Sequence, residues 1–401
     1  MSDAAPHPDR PNPSHPDTAV PGPASSGGPG PRRTTSSSPA LSVLDLVPVS
    51  AGRTRTDALA EMTALARSAD AAGYARYWLA EHHGSATFLA SATTVLMGQV
   101  LAATSRIAVA AGGIMLPNHA PLVVAEQVGT LATLYPGRVG LGLGRAPGTD
   151  PITARALRRR DAAPGVFVQE VVETLGYLTA SADGATGEGF PPAGAVPGSL
   201  ASQTPESVPS PLPVLTPAHQ VRAVPGEGTE PEVWVLGSSV NGARVAGSLG
   251  LPFVVASHFA PAQAEAAVMA YRSTFDPDAP TAQVRRPVAA AAVNAVVAPT
   301  QSEAEHLFTT AMAASARIVG GRPGPLDPPS EDPGAWRAMA PGKDGLVEGS
   351  MALSYVGEAG PVAAQVHDLA ARWDLAEVLV VTYVHDAAAR RRSYELLGAA
   401  W

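Results

Sequence analysis

Cysteine is absent from the chain. That excludes disulfides, thiolate zinc sites, iron–sulfur clusters and a cysteine nucleophile, and it suits a cytoplasmic protein. Aromatic residues are also scarce, at 5% of 401 positions. No apolar run approaches the ~20 residues of a membrane span, so no membrane association is expected. The first residues lack the apolar core of a signal peptide. Positive charge is in deficit: the formal net charge is -8 and the pI about 5.7. No basic patch provides a nucleic-acid footprint. The densest basic cluster, Arg158–Arg160, reads as a solvated helix face. Apolar residues, by contrast, make up 45% of the chain, ample for one large domain or two ordinary ones.

Met1–Ala40 carries ten prolines and no apolar pattern. Such a segment cannot bury enough surface to offset its ordering entropy, and residues 1–40 are expected to form a disordered tail. From Leu41 the texture alternates between short apolar runs and helical spacing. Strands are expected at Leu41–Pro48, Arg76–Ala80, Arg106–Ile114, Arg138–Gly144, Glu232–Leu236, Leu251–Ala256, Val288–Val297 and Glu377–Thr382. Helices are expected at Asp57–Ala72, Phe88–Ala103, Pro121–Leu134, Val166–Leu178, Val240–Leu249, Pro261–Thr274, Ser302–Val319, Pro361–Trp373 and Ala387–Leu397. Ser181–Glu230, with nine prolines, and Gly320–Ser350 interrupt the alternation as Pro/Gly-rich insertions. Eight strands, nearly all followed directly by a helix, are the signature of a (β/α)8 TIM barrel, spanning residues 41–401. A doubly wound sheet is the alternative; it usually has fewer strands and a glycine fingerprint after the first, where this chain has Val49-Ser50-Ala51-Gly52-Arg53.

In a barrel, residues at strand C-termini face one mouth, where active sites form. The second strand ends in Tyr77-Trp78-Leu79-Ala80-Glu81-His82-His83. Adjacent strand residues point to opposite faces, which disfavours zinc ligation by the histidine pair and favours a proton-handling role; no metal is expected. The third strand ends in Gly112-Gly113, which either lets a planar ligand approach the backbone, permits an unusual peptide geometry, or forms a plain turn. The fourth ends in Gly142-Leu143-Gly144-Arg145-Ala146-Pro147-Gly148. Pro147 stands where a dinucleotide loop needs glycine. Arg145 is either a phosphate clamp or a solvated rim charge. After the fifth strand, Ser238 and Ser239 open a helix, as an anion site or as a simple N-cap.

These motifs, with Val235-Leu-Gly-Ser-Ser239, Gly250-Leu-Pro-Phe253, Gly144-Arg-Ala-Pro-Gly-Thr-Asp-Pro151, Thr382-Tyr-Val-His-Asp386 and Arg392-Ser-Tyr-Glu-Leu-Leu397, resemble the bacterial luciferase-like flavin monooxygenases in order from about Leu41 to Leu397. The closest likeness is to the single-chain luciferase-like oxidoreductases. The resemblance implies a (β/α)8 barrel that binds reduced FMN at its C-terminal mouth, uses O2 through a C4a-peroxyflavin and oxygenates a small organic substrate. It places the active-site histidine on His82, a cis peptide under the flavin on Gly112-Gly113, the phosphate arginine on Arg145 and the phosphate loop on Ser238 and Ser239. It implies a homodimer through barrel helices. Luciferase has a glutamate where this chain has Gly237, and its reactive cysteine has no counterpart here. Without a nicotinamide fingerprint, reduced FMN is expected from a separate NAD(P)H:flavin reductase. The Gly320–Ser350 segment is either a lid over the mouth or a passive surface loop. Two rival readings are a deazaflavin-dependent hydride-transfer enzyme and a non-catalytic flavin-binding subunit.

Overall fold

A computed structural model describes residues 38–159, 163–179 and 221–401. Of the tail expected over 1–40, residues 1–37 lie outside the described residues, but its end does not: Ala40 opens β1, its N–H bonding the Ala376 carbonyl, and Pro39 O accepts from Trp401 Nε1. Most of the 181–230 insertion lies outside the described residues as well. Nine parallel strands are present among the described residues: β1 Ala40–Asp45, β2 Arg76–Leu79, β3 Ala108–Met115, β4 Val139–Gly144, β5 Glu232–Gly237, β6 Phe253–Val255, β7 Ala289–Val297, β8 Ser354–Gly357 and β9 Glu377–Val381. The sheet runs β6-β5-β4-β3-β2-β1-β9-β7 and closes through β6–β7, giving an eight-stranded barrel. The eight expected strands are these eight. The ninth, β8, pairs Ser354–Gly357 with Asn294–Val297, along the end of β7 that projects past β9. Its four residues are too short a run to stand out in the sequence.

The helices are α1 Arg55–Ala71, α2 Thr93–Ala103, α3 Pro121–Leu134, α4 Pro151–Ala156, α5 Pro164–Thr179, α6 Val240–Ser248, α7 Ala264–Thr274, α8 Gln301–Val319, α9 Asp344–Ser350, α10 Ala359–Trp373 and α11 Ala387–Ala400. A capping box on Thr54 and Asp57 starts α1, and Met62, Leu65, Ala66 and Ala69 form its buried face. The helix expected from Phe88 begins only at Thr93, because Phe88 bridges to Pro48 and its N–H is held by Ser85 Oγ. Among the described residues no helix is long and apolar enough to cross a membrane.

The core is the barrel interior and the layer between strands and helices. Ala289–Val297 is buried at every position, as expected of a strand covered on both faces. A buried ion pair stitches the last helix to the first strand. Arg390 Nη2 lies 2.7 Å from Asp45 Oδ1, and Asp45 also accepts from Tyr77 Oη and from the Val47 N–H. Burial pulls the Arg390 pKa down, but the Asp45 carboxylate outweighs it and raises it above the usual value. Gly320–Ser350 is not a bare loop. It carries the 3-10 turn Ala335–Met339 and α9, and Trp336 and Val347 bury themselves against Ala316 of α8. Arg317 of α8 pairs with Asp327 at 2.6 Å.

Candidate active site

A cavity of about 760 Å³ opens at the C-terminal ends of the strands. That is within the usual range for a small-molecule site. His82, Gly112, Arg145, Ser238 and Ser239 all line it. Gly113 does not line it; the peptide joining it to Gly112 is cis, at the point where the register between β3 and β4 shifts. No side chain fits there. A Cβ on Gly113 would lie 2.7 Å from the Gly142 carbonyl oxygen, and one on Gly142 would lie 2.3 Å from the Ala111 oxygen.

Arg145 is the one arginine or lysine among the described lining residues. Arg145 makes no ion pair among the described residues, and its carbonyl accepts a hydrogen bond from Arg159. The two cations sit close enough that Arg145 lowers the Arg159 pKa, after burial, the larger cause. Arg159 also donates to Asn118 Oδ1 at 2.7 Å. The expectation of a solvated helix face at Arg158–Arg160 holds only for the solvation of Arg158, which is exposed: α4 ends at Ala156, Arg159 folds back onto Arg145 and Asn118, and Arg160 lies outside the described residues. After the neighbouring strand β5, whose Leu236 pairs with Gly144, Ser239 is the N-cap of α6, its Oγ accepting from the Gly242 N–H at 3.4 Å. Asn241 and Gly242, in the first turn of α6, line the cavity too. An unpaired guanidinium and a helix N-terminus lining one cavity have the right chemistry for a phosphate.

The two adjacent histidines lie past the end of β2 at Leu79, so strand alternation does not separate them as expected, and both line the cavity. His82 lines the cavity with a buried Nδ1 that has no partner, and its ring lies 5.6 Å from that of Phe88. Burial lowers its pKa, so the imidazole is neutral. His83 turns to Glu81, with Nε2 2.9 Å from Oε1. His119 Nε2 lies 3.0 Å from both Glu81 oxygens, Asn118 Nδ2 donates at 3.2 Å and the Met115 N–H at 3.2 Å. Burial pushes the Glu81 carboxyl up, but the bonds from His119 and His83 outweigh it and hold it at about 2. An ionised carboxylate only accepts, so both imidazoles donate from Nε2. Glu81, His83 and His119 have the residue types of a metal site and ligand atoms within 4.8 Å of one another. The adjacent His82–His83 pair in the sequence gives no sign of this set, which His119 completes from the loop after β3. Glu81, however, is already saturated by hydrogen bonds, and the cluster's evident effect is to join the loops after β2 and β3. The His83 N–H reaches Gly148 O at 3.1 Å, bringing in the loop after β4 as well.

His258, after β6, was not singled out in the sequence. It lines the cavity, is 8% exposed, and its Nδ1 is buried without a partner. Burial, reinforced by His82, lowers its pKa to about 3. The rule that led to His82, polarity just past a strand end, applies equally to Ala256-Ser257-His258, but a single histidine there carries less signal than a pair.

Comparison with known proteins agrees with this architecture. The family model for luciferase-like monooxygenases matches residues 40–374. A luciferase-like monooxygenase of Escherichia coli K12 is 37% identical over 90% of this chain and 97% of its own length. Among solved structures, apo-MsnO8 superposes with a TM-score of 0.71 and 30% identity, covering 90% of this chain and 98% of that one. The oxygenating constituent of 3,6-diketocamphane monooxygenase from Pseudomonas putida, solved with FMN, shares the fold at TM-score 0.60 and 17% identity, covering 90% of this chain and 97% of that one. The chain belongs to the luciferase-like monooxygenase family.

Proposed function

We propose that this family member is a monooxygenase that takes up reduced FMN and O2 and oxygenates a small organic substrate, with the reduced flavin delivered by a separate reductase. The observation that carries this reading is one cavity lined both by Arg145 and the first turn of α6 and, from α8 onward, by uncharged side chains. FMN on the same fold in the Pseudomonas putida protein supports the choice of cofactor. Arg145, Ser238 and Ser239 hold the phosphate. Gly112 lets the backbone approach the ring because it presents no Cβ, and Gly113, joined to it by the cis peptide, sets its position behind the lining. His82, neutral and without a partner, accepts and returns a proton beside the ring. Phe88, Phe167 and Met115 line the cavity and exclude water. Bound reduced flavin supplies the electrons that activate O2; one oxygen atom enters the substrate and the other leaves as water.

The test is reconstitution. With FMN alone the protein should oxidise NADH negligibly. With a flavin reductase added, isotope-labelled O2 should label an organic product from a metabolite panel. Robust NADH oxidation by the protein alone contradicts the two-component reading. Turnover with a reduced deazaflavin but none with reduced FMN contradicts the choice of cofactor.

A further inference from the structure

The lining residues from α8 onward carry no charge. Ala311, Ala314, Ile318 and Val319 come from α8, and Met351 follows α9. Ser315 and Ser350 also lie there, but their hydroxyls bond each other at 2.8 Å, and Ser350 Oγ donates to the Val347 carbonyl at 2.8 Å. Neither serine therefore needs a ligand.

His258 differs. Its main chain is fixed, with Asn294 Nδ2 donating to its carbonyl at 2.7 Å. Its ring is set edge-on against Phe259 at 4.9 Å. More than nine-tenths of the residue is buried, yet Nδ1 has no partner. Among the described lining residues, only His82 shares that condition. A buried polar atom without a partner is uncommon in native proteins and calls for a ligand or a catalytic role. His82 has its role beside the flavin; His258 has none.

We propose that His258 is a substrate-binding residue, hydrogen-bonding the one polar group of an uncharged, largely apolar substrate that lies against the uncharged α8 and Met351 lining, to which Asn294 ties it by reaching both the His258 carbonyl and Met351 Sδ. The inference rests on the flavin reading, which assigns Arg145 and the α6 N-terminus to the phosphate and leaves the α8 lining to the substrate. A neutral imidazole offers one donor and one acceptor, so it orients a hydroxyl or carbonyl without attracting a net charge. A carboxylate against the α8 lining would find no cation there and would lose its hydration.

Three probes of one shape test this: benzyl alcohol, toluene and benzoate, titrated calorimetrically into the protein loaded anaerobically with reduced FMN. His258→Phe should weaken benzyl alcohol about three- to tenfold, the range of one net hydrogen bond, and toluene less than twofold. His258→Asn, which retains a donor and an acceptor, should recover part of the loss and serves if the phenylalanine variant does not fold. Benzoate should bind at least tenfold more weakly than benzyl alcohol to the wild type. Equal losses for alcohol and toluene, or benzoate as the tightest probe, overturn the proposal. Uptake of reduced FMN is read in the same samples: a wild type that takes up none contradicts the flavin reading, a different result from unchanged probe discrimination.

Discussion

Two neutral imidazoles make different predictions. The pKa of His258 is lowered to about 3 in the folded chain, while an unfolded histidine titrates near 6.5. The unfolded state therefore binds the proton first. The stability conferred by a neutral, buried His258 is complete above ~6.5 and is lost as pH falls from there towards about 3. Each pH unit in that window costs up to ~1.4 kcal/mol. Between pH 7.5 and pH 5, urea melts should show the wild type losing up to about 2 kcal/mol relative to His258→Asn; parallel losses would mean that His258 is not buried neutral. His82→Ala should leave reduced-FMN affinity nearly intact and slow product formation by on the order of 100-fold or more. His83→Ala, acting through Glu81, should instead lower the melting temperature, as judged by differential scanning calorimetry. An unaltered product rate in His82→Ala would remove its role. The sequence showed these side chains unevenly. His82 and Arg145 stood out because each ends an apolar run abruptly. Glu81's partner His119 and the returning Arg159 did not, because their contacts join residues 38 and 14 positions apart.

At the level of elements, the barrel strands were legible because both of their faces are covered, which writes them as continuous apolar runs. The short strand β8 was not, and neither was the order within Gly320–Ser350, where glycine and proline mask two short helices that pack mainly through Trp336 and Val347. The junction of β1 with α11 is equally silent in the sequence, since Asp45 and Arg390 lie 345 residues apart. It makes a sharp prediction. Asp45→Ala leaves the Arg390 guanidinium buried without its partner and should destabilise the protein by about 3–5 kcal/mol, read as a drop in the urea midpoint. Replacing both residues with apolar ones should recover much of that loss. A single variant as stable as the wild type would mean that the pair contributes nothing net.

For the whole molecule, eight strand–helix units bring residues from β2, β3, β4, β5 and β6 to one mouth, although they span Glu81 to His258 in the chain. Strand order alone sufficed to gather His82, Gly112, Arg145, Ser238 and Ser239 around one cavity, because every parallel strand ends on the same side. Which wall each side chain faces depends on tertiary packing and was beyond the reach of periodicity. The central claim is that this mouth holds a phosphate-bearing reduced flavin. The most direct measurement is anaerobic titration of wild type and Arg145→Ala with reduced FMN and with reduced riboflavin, which lacks the phosphate. A charge-assisted contact is worth about 1.5–3 kcal/mol, so Arg145→Ala should weaken FMN roughly ten- to a hundredfold and riboflavin far less. Equal weakening of both ligands, or no binding of reduced FMN by the wild type, would contradict the account.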